Sequence, residues 1–361
     1  MNDQSPTFWQ ASWRRLKKNK GAVAGLAMIL AAVFVAIFGY FLAPDPSPFA
    51  NRIILEIGGE KPGYSRHFLR IKKERETSTG FFERLLSGKP DMYDLIPINS
   101  WQQKNDSIIV QKFIDEGLSE RIAFPVALAA NKPVVNKKFL LGTDKYGRDI
   151  LSRLIIGTRV SLGVGLITVL ISLTVGITLG AIAGYFKGRT DEMIMWLINV
   201  IWSIPTLLLV FAITLILGKG FWQVFIAVGL TMWVNVARLV RGQVIASREL
   251  QYVEAGRVLG FSNFRIITRH ILPNIMGPIL VIAASNFASA IVIEAGLSFL
   301  GVGVQPPQPS WGLMIKENYN FIITQNPMLA LAPGFAIMLL VLGFNLLGNG
   351  LRDALNVRGR L

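Results

Sequence analysis

LGVGLITVLISLTVGITLGAIAGYF, residues 162–186, runs for 25 residues without a charged side chain. A bilayer hydrocarbon core about 30 Å thick is crossed by roughly 20 residues at helical rise. A helix satisfies all of its backbone groups inside one such segment, so this stretch reads as a transmembrane helix. Comparable runs occur at 21–43, 193–217, 221–237, 276–300 and 328–350, and 221–237 is the shortest of them. The fold class expected is an all-α polytopic membrane protein with about six transmembrane helices. A hydrophobic fraction of 52% and a mean hydropathy of +0.47 over 361 residues agree with this reading. The first run follows a basic stretch, is longer than a signal-peptide core and lacks a clear cleavage pattern; it reads as a retained anchor.

Composition narrows the chemistry. There is no cysteine, which excludes a disulfide framework, a thiolate metal site and a cysteine nucleophile, and His67 and His270 are the two histidines. The net charge of +15 fits basic loops flanking membrane spans better than nucleic-acid binding, because the basic residues border apolar runs. Arg14, Arg15, Lys17, Lys18 and Lys20 precede the first run. Lys187 and Arg189 lie in the 187–192 turn, six arginines lie in 238–275, and Arg352, Arg358 and Arg360 lie in the tail. The two other short connections hold only Lys219 and Lys316. Six spans with both termini in the cytoplasm reproduce this asymmetry.

The domain reading is a cytoplasmic segment 1–20, a first helix 21–43, an extracytoplasmic insertion 44–138 and a core 139–361 with five helices. Pro44-Asp45-Pro46-Ser47-Pro48 stops the first helix, since proline lacks the donor and restricts its predecessor. Within the insertion, Arg52–Ile57 and His67–Ile71 read as strands and Phe81–Leu86 and Ile108–Glu116 as short helices. The insertion is therefore expected to be a small α+β domain.

The most informative polar stretch is 248–275. Residues 249–259 place Leu250, Val253, Val258 and Leu259 near one helical face, with Glu254 and Arg257 spaced as an i, i+3 pair. Gly260 permits a tight reversal, Ser262 suits the N-cap of a second helix, and Pro273 ends or kinks that helix. Glu254-Ala255-Gly256, Gly260 and the ending Ile271-Leu272-Pro273 resemble the EAA loop of ABC importer permeases. Gly256 stands where the general pattern has a third alanine, and Ile271 lies one place nearer the proline. Trp13–Lys20, Leu141–Arg153 and Leu297–Gly312 are similar, in the same order, to segments of the dipeptide/oligopeptide/nickel branch of that family. The resemblance covers 8–43 and about 139–361 and leaves out most of 44–138.

The resemblance implies a type I importer permease fold and a transport subunit without chemistry of its own. It implies passage of peptides or similar small solutes, with nickel or another non-peptide solute as the alternative. The implied partners are a second homologous permease, two ATP-binding cassette subunits and an extracytoplasmic solute-binding protein, all at the lipid bilayer. ATP and magnesium would be used by the cassette subunits and no cofactor by this chain. The pattern GxxxxGK[ST] does not occur in the sequence. An intramembrane enzyme would require a catalytic pair such as HExxH, which is likewise absent. An ion-coupled carrier would require internal repeats and broken helices, and neither is legible.

The site residues expected from this reading fall into three groups. Glu254, Ala255, Gly256, Gly260, Ile271, Leu272 and Pro273 form the coupling loop. Glu294, the acidic residue within a span, reads either as a pathway or gate residue or as an interfacial carboxylate. Asp144, Arg148, Asp149, Gln305 and Trp311 are expected to meet the binding protein, although Gly142–Asp149 and Gly301–Gly312 also read as plain turns and caps. Asn199, Asn235, Asn286, Asn345 and Asn349 read as interhelical packing polar groups rather than solute contacts, and Gly176, Gly180 and Gly184 as close-packing sites.

Overall fold

The computed structural model describes residues 8–73, 79–218, 220–322 and 326–355. Lys219, Arg358 and Arg360, used in the charge reading, lie outside the described residues. In chain order the helices are α1 (Phe8–Lys18), α2 (Lys20–Leu42), α3 (Phe81–Ser87), α4 (Ile150–Phe186), α5 (Gly188–Trp202), α6 (Thr206–Leu217), α7 (Phe221–Arg248), α8 (Gln251–Val258), α9 (Asn263–Arg265), α10 (Met276–Leu300), α11 (Trp311–Asn318) and α12 (Met328–Leu355). Strands β1 (Tyr64–Lys72), β2 (Tyr93–Lys104), β3 (Ser107–Asp115), β4 (Leu118–Pro125) and β5 (Ala129–Phe139) lie between α2 and α4.

Among the described residues, five helices are long and apolar enough to cross a bilayer: α2, α4, α7, the composite helix Asn263–Leu300 and α12. The expected single span 193–217 is instead the pair α5 and α6, bent by 91°. Pro205 explains the break, because it supplies no N–H and disfavours the helical conformation at Ile204. Counting that pair as one span gives six. The 221–237 run is not short: α7 continues to Arg248, so Arg238 and Arg241 belong to a helix rather than a loop. In the composite helix, Pro273 cannot donate a backbone bond. The chain passes through a π segment, Ile266–Ile271, and a 3₁₀ turn, Leu272–Ile275, before α10 begins.

The chain divides into two compact units. The first comprises Met1–Ala32, Ser161–Gln305 and Ile337–Leu361. Within it α4 packs closely on α7. A Cβ built on Gly176 would come within 2.5 Å of Val236, one on Gly180 within 2.5 Å of the Ala237 carbonyl, and one on Gly184 within 2.7 Å of the Arg241 carbonyl. The three glycines, spaced by four, form a groove into which the α7 backbone sinks, as the small-residue spacing led us to expect. Asn286 donates across helices to Ser172 Oγ at 3.4 Å, in keeping with its packing role.

The second unit comprises Val33–Val160 and Pro306–Ala336. Its centre is an antiparallel sheet of order β4-β3-β2-β1-β5. Phe68 and Leu69, consecutive in β1 and so on opposite faces, are both fully buried. Phe68 packs with Ile54, Ile57, Phe113 and Phe139. Leu69 packs with Ile98, Ile108, Val110 and Ala129. Strand His67–Ile71 and helix Phe81–Leu86 are found as expected. Two expectations are corrected. Arg52–Ile57 is no strand but an extended segment ending in a 3₁₀ turn, Leu55–Ile57. Ile108–Glu116 is strand β3 rather than a helix. Its Ile108 and Val110 point to one buried face at a period of two.

Candidate functional site

The coupling-loop residues lie on an anchored element with an apolar outer surface. Val253 is completely buried among Ala181, Tyr185, Val244, Ile266, Ile271 and Ile275. The Tyr185 hydroxyl donates to Asn263 Oδ1 at 2.9 Å, and Arg248 donates to the Tyr185 carbonyl at 2.6 Å. Gly260 adopts φ +71°, a left-handed conformation that suits glycine. Ser262 caps α9 by accepting the Arg265 N–H. Ile271 is buried, Leu272 half-buried and Pro273 exposed. Thus the loop is held rigidly from within.

Outward it presents the opposite chemistry. Val258 is 83% exposed, Phe264 77% and Leu259 70%, with Leu250, Glu254 and Ala255 exposed beside them. Of the four residues expected near one helical face, Leu250, Val253, Val258 and Leu259, Val253 faces inward and the other three are exposed. Glu254 and Arg257 form no ion pair; Arg257 lies 5.4 Å over the Tyr185 ring instead. Gly256 is buried, yet an added Cβ would meet Phe261 at 3.5 Å, ordinary van der Waals contact. Alanine would fit there.

A cavity of about 430 Å³ opens within the first unit. Trp202, Ile204 and Thr206 flank the α5–α6 break on its wall, and Thr231, Asn235, Ser289 and Asn345 contribute polar groups. Sequence reasoning assigned Asn235 and Asn345 to packing; both line the cavity. The available signal was Pro205 inside an apolar run, since broken helices within a membrane border cavities.

Glu294 is not among the residues lining that cavity. It is fully buried, and its carboxylate accepts the Ser298 hydroxyl at 2.6 Å. Ser298 Oγ in turn accepts the Val304 N–H at 3.0 Å. Glu294 thereby braces the turn that follows α10. In this structure the residue expected at a gate or at the interface is buried and held by Ser298.

Four of the five residues expected to meet a binding protein are buried in the second unit. Asp144 Oδ1 accepts the backbone N–H groups of Tyr146 and Arg148 at 2.9 and 3.0 Å. The Arg148 guanidinium spans Asp144, at 2.6 Å, and Glu317 of α11, at 2.7 Å. Arg153 approaches Glu317 at 3.3 Å. Asp149 accepts the Ser152 N–H at 2.9 Å and caps α4; burial raises its pKa against the pull of those Ser152 bonds. Trp311 donates from Nε1 to the Leu154 carbonyl at 3.0 Å. Gly142 and Gly147, both at positive φ, leave no room for a Cβ against the Glu60 and Ile54 carbonyls. These polar side chains are spent inside the fold, so they are not surface contacts. Gln305, half-buried in the first unit, donates to the Gly301 and Gly303 carbonyls at 3.3 and 2.8 Å.

A smaller cavity of about 260 Å³ in the second unit is lined by Asp45, Arg52, Lys137 and Asp149 among others. Arg52 is engaged by Asp91 through two hydrogen bonds. Lys137 has its pKa pushed down to about 8, first by burial and then by Arg52. Among the described residues no group of three or more metal-ligating side chains is gathered.

Apolar helices around a polar-edged cavity, with a braced loop presenting apolar side chains, define a polytopic helical membrane protein of the transporter class. Residues 176–360 match the family described as binding-protein-dependent transport system inner membrane component, and residues 7–54 match the N-terminal TM domain of oligopeptide transport permease C. The chain belongs to this family and is a DppC/OppC-like permease of the ABC importers. It is 32% identical to the dipeptide transport system permease protein DppC of Bacillus subtilis, over 99% of this chain and 88% of that protein. It is 43% identical to the glutathione transport system permease protein GsiD of Pectobacterium atrosepticum, over 60% of this chain and 71% of that protein. A chain of the inward-facing MetNI methionine ABC transporter aligns with a TM-score of 0.48 at 17% identity, covering 57% of this chain and 98% of that one. The B. subtilis alignment spans the 44–138 region, which the motif resemblance left out.

Proposed function

We propose that this permease forms one half of a translocation path for di- or oligopeptides, and that separate ATP-binding subunits drive it through the loop at 250–264. The carrying observation is the outward face of Val258, Leu259 and Phe264 on an element whose inner side is anchored by Val253. Large exposed apolar side chains beside a polar rim suit a docking surface for a protein partner. ATP and magnesium act on those subunits and this chain carries no cofactor and no catalysis. The basic termini and the loop are cytoplasmic, and the 44–138 insertion is extracytoplasmic. A second homologous permease completes the path, and the cavity edged by Asn235, Ser289 and Asn345 is its half in this chain.

The peptide assignment is supported by the relatives, which are named for dipeptide, oligopeptide and glutathione transport. A solute-binding protein delivers the cargo. Its contacts fall to exposed neighbours of the braced turns, such as Lys145 and Pro306–Pro307, rather than to buried Asp144, Arg148, Asp149 or Trp311. The test is reconstitution of the chain with its co-purifying subunits in proteoliposomes. Labelled dipeptide accumulates only with ATP on the cassette side; ATP-dependent nickel uptake without peptide uptake overturns the substrate class.

A further inference from the structure

The segment Phe81-Phe82-Glu83-Arg84-Leu85-Leu86-Ser87 is amphipathic at helical pitch. Phe81, Leu85, Phe82 and Leu86 fall within an arc of about 140° at 100° per residue, with Glu83, Ser87 and Arg84 opposite. No residue of α3 is buried, and Phe81, Phe82 and Leu86 are 60%, 76% and 67% exposed. So much adjacent apolar surface marks an interaction site.

Its level in the fold is fixed by contacts with the end of α2. The Phe81 ring lies 5.4 Å from that of Phe41, the penultimate residue of α2, and the Arg84 guanidinium lies 4.4 Å over the same Phe41 ring. Arg159 of α4 donates to the Leu85 and Leu86 carbonyls at 3.1 and 3.3 Å, satisfying the last turn of α3. Lys89 N–H donates to the Pro46 carbonyl at 2.7 Å, and Gly88 sits too close to Tyr40 and Pro46 to admit a side chain. α2 has 23 residues, about 34 Å of helix against a hydrocarbon core of about 30 Å, so Phe41 stands at the membrane interface. Phe34, Ile37 and Leu42 of α2 are exposed apolar side chains, and the apolar arc of α3 continues that lipid-facing surface.

We propose that α3 is an interfacial anchor: it lies in the leaflet at which α2 ends, with Phe81, Phe82 and Leu86 among the acyl chains. Glu83 and Arg84 remain on the headgroup side. The arrangement ties the sheet unit to the bilayer surface, as amphipathic helices do when they bury their apolar face at the headgroup boundary. It is independent of the substrate and of the cassette subunits.

The chain has no cysteine, so single labels report single positions. Nitroxides at Phe82→Cys and Glu83→Cys, in the full chain in phosphatidylcholine–phosphatidylglycerol nanodiscs, are compared for collision with oxygen and with a water-soluble nickel chelate. The oxygen-to-nickel ratio at 82 is expected to exceed that at 83 several-fold, and Leu86→Cys to follow 82. Equal ratios at 82 and 83 would place α3 in water. Shielding of the label at 82 from both relaxants would mean that protein covers the face. Either result overturns the proposal.

Discussion

Arg148 donates from Nη2 to Glu317 Oε2 at 2.7 Å, joining the turn before α4 to α11 across 169 positions of the sequence. Both side chains are removed from solvent, and the same guanidinium holds Asp144. Breaking a buried pair leaves an uncompensated charge, whereas removing both partners does not. Arg148→Met is expected to cost about 3 kcal/mol of stability. The double variant with Glu317→Gln is expected to cost less than the sum of the singles by about 1 kcal/mol or more. Denaturant unfolding in detergent measures both; strict additivity would deny the coupling.

The glycine groove of α4 predicts a sharp positional contrast. Gly180→Leu forces α7 away, because even a Cβ there meets the Ala237 carbonyl at 2.5 Å, and folded yield should collapse. Gly163→Ala, with nothing within 4 Å of the new methyl, should be neutral. Size-exclusion profiles of the two variants make the comparison.

Within the loop, Gly256 and Gly260 should behave oppositely. Gly256→Ala has room and gains helix propensity of up to about 1 kcal/mol, so transport is retained. Gly260→Val forces a β-branched residue into φ +71°, at a cost of about 1–2 kcal/mol, and displaces the exposed apolar face. Uptake per ATP hydrolysed should fall for Gly260→Val alone, with insertion unchanged.

Lys137 gives a pH signature. Its folded pKa of about 8 lies below the ordinary 10.5, because burial and then Arg52 disfavour the charged form. Between those values the unfolded chain binds more protons, so this group raises stability with increasing pH across that window. Below it the charged ammonium is a standing burden. Lys137→Met should be more stable than the native chain at pH 7, and the difference should shrink as pH rises through 8 towards 10.5. Unfolding midpoints measured against pH test the sign.

The spans were legible because long apolar blocks have one structural outcome in lipid. The break at Pro205 was written in the same block but was hidden by its high average hydropathy. Strand β3 was misread as a helix because Ile108, Ile109, Val110 and Phe113 suit either period. The turns at Asn105–Asp106 and Glu116–Gly117, which set the hairpin registers, were the better guide. The Asp144–Arg148–Glu317 network was not legible at all, since nothing local announces a partner so far along the chain. Glu294 was singled out as the acid within a span. Only the fold shows that Ser298 occupies it and that Asn235 and Asn345 face the cavity instead.

The central claim, that motor subunits grip the face at 250–264, is tested most directly by cross-linking from Val258→Cys in the assembled complex. A photoreactive maleimide at that position should capture an ATP-binding subunit, with a yield that changes when nucleotide is added. Capture of the solute-binding protein, or no capture of the ATP-binding subunit in a complex that contains it, would contradict the account.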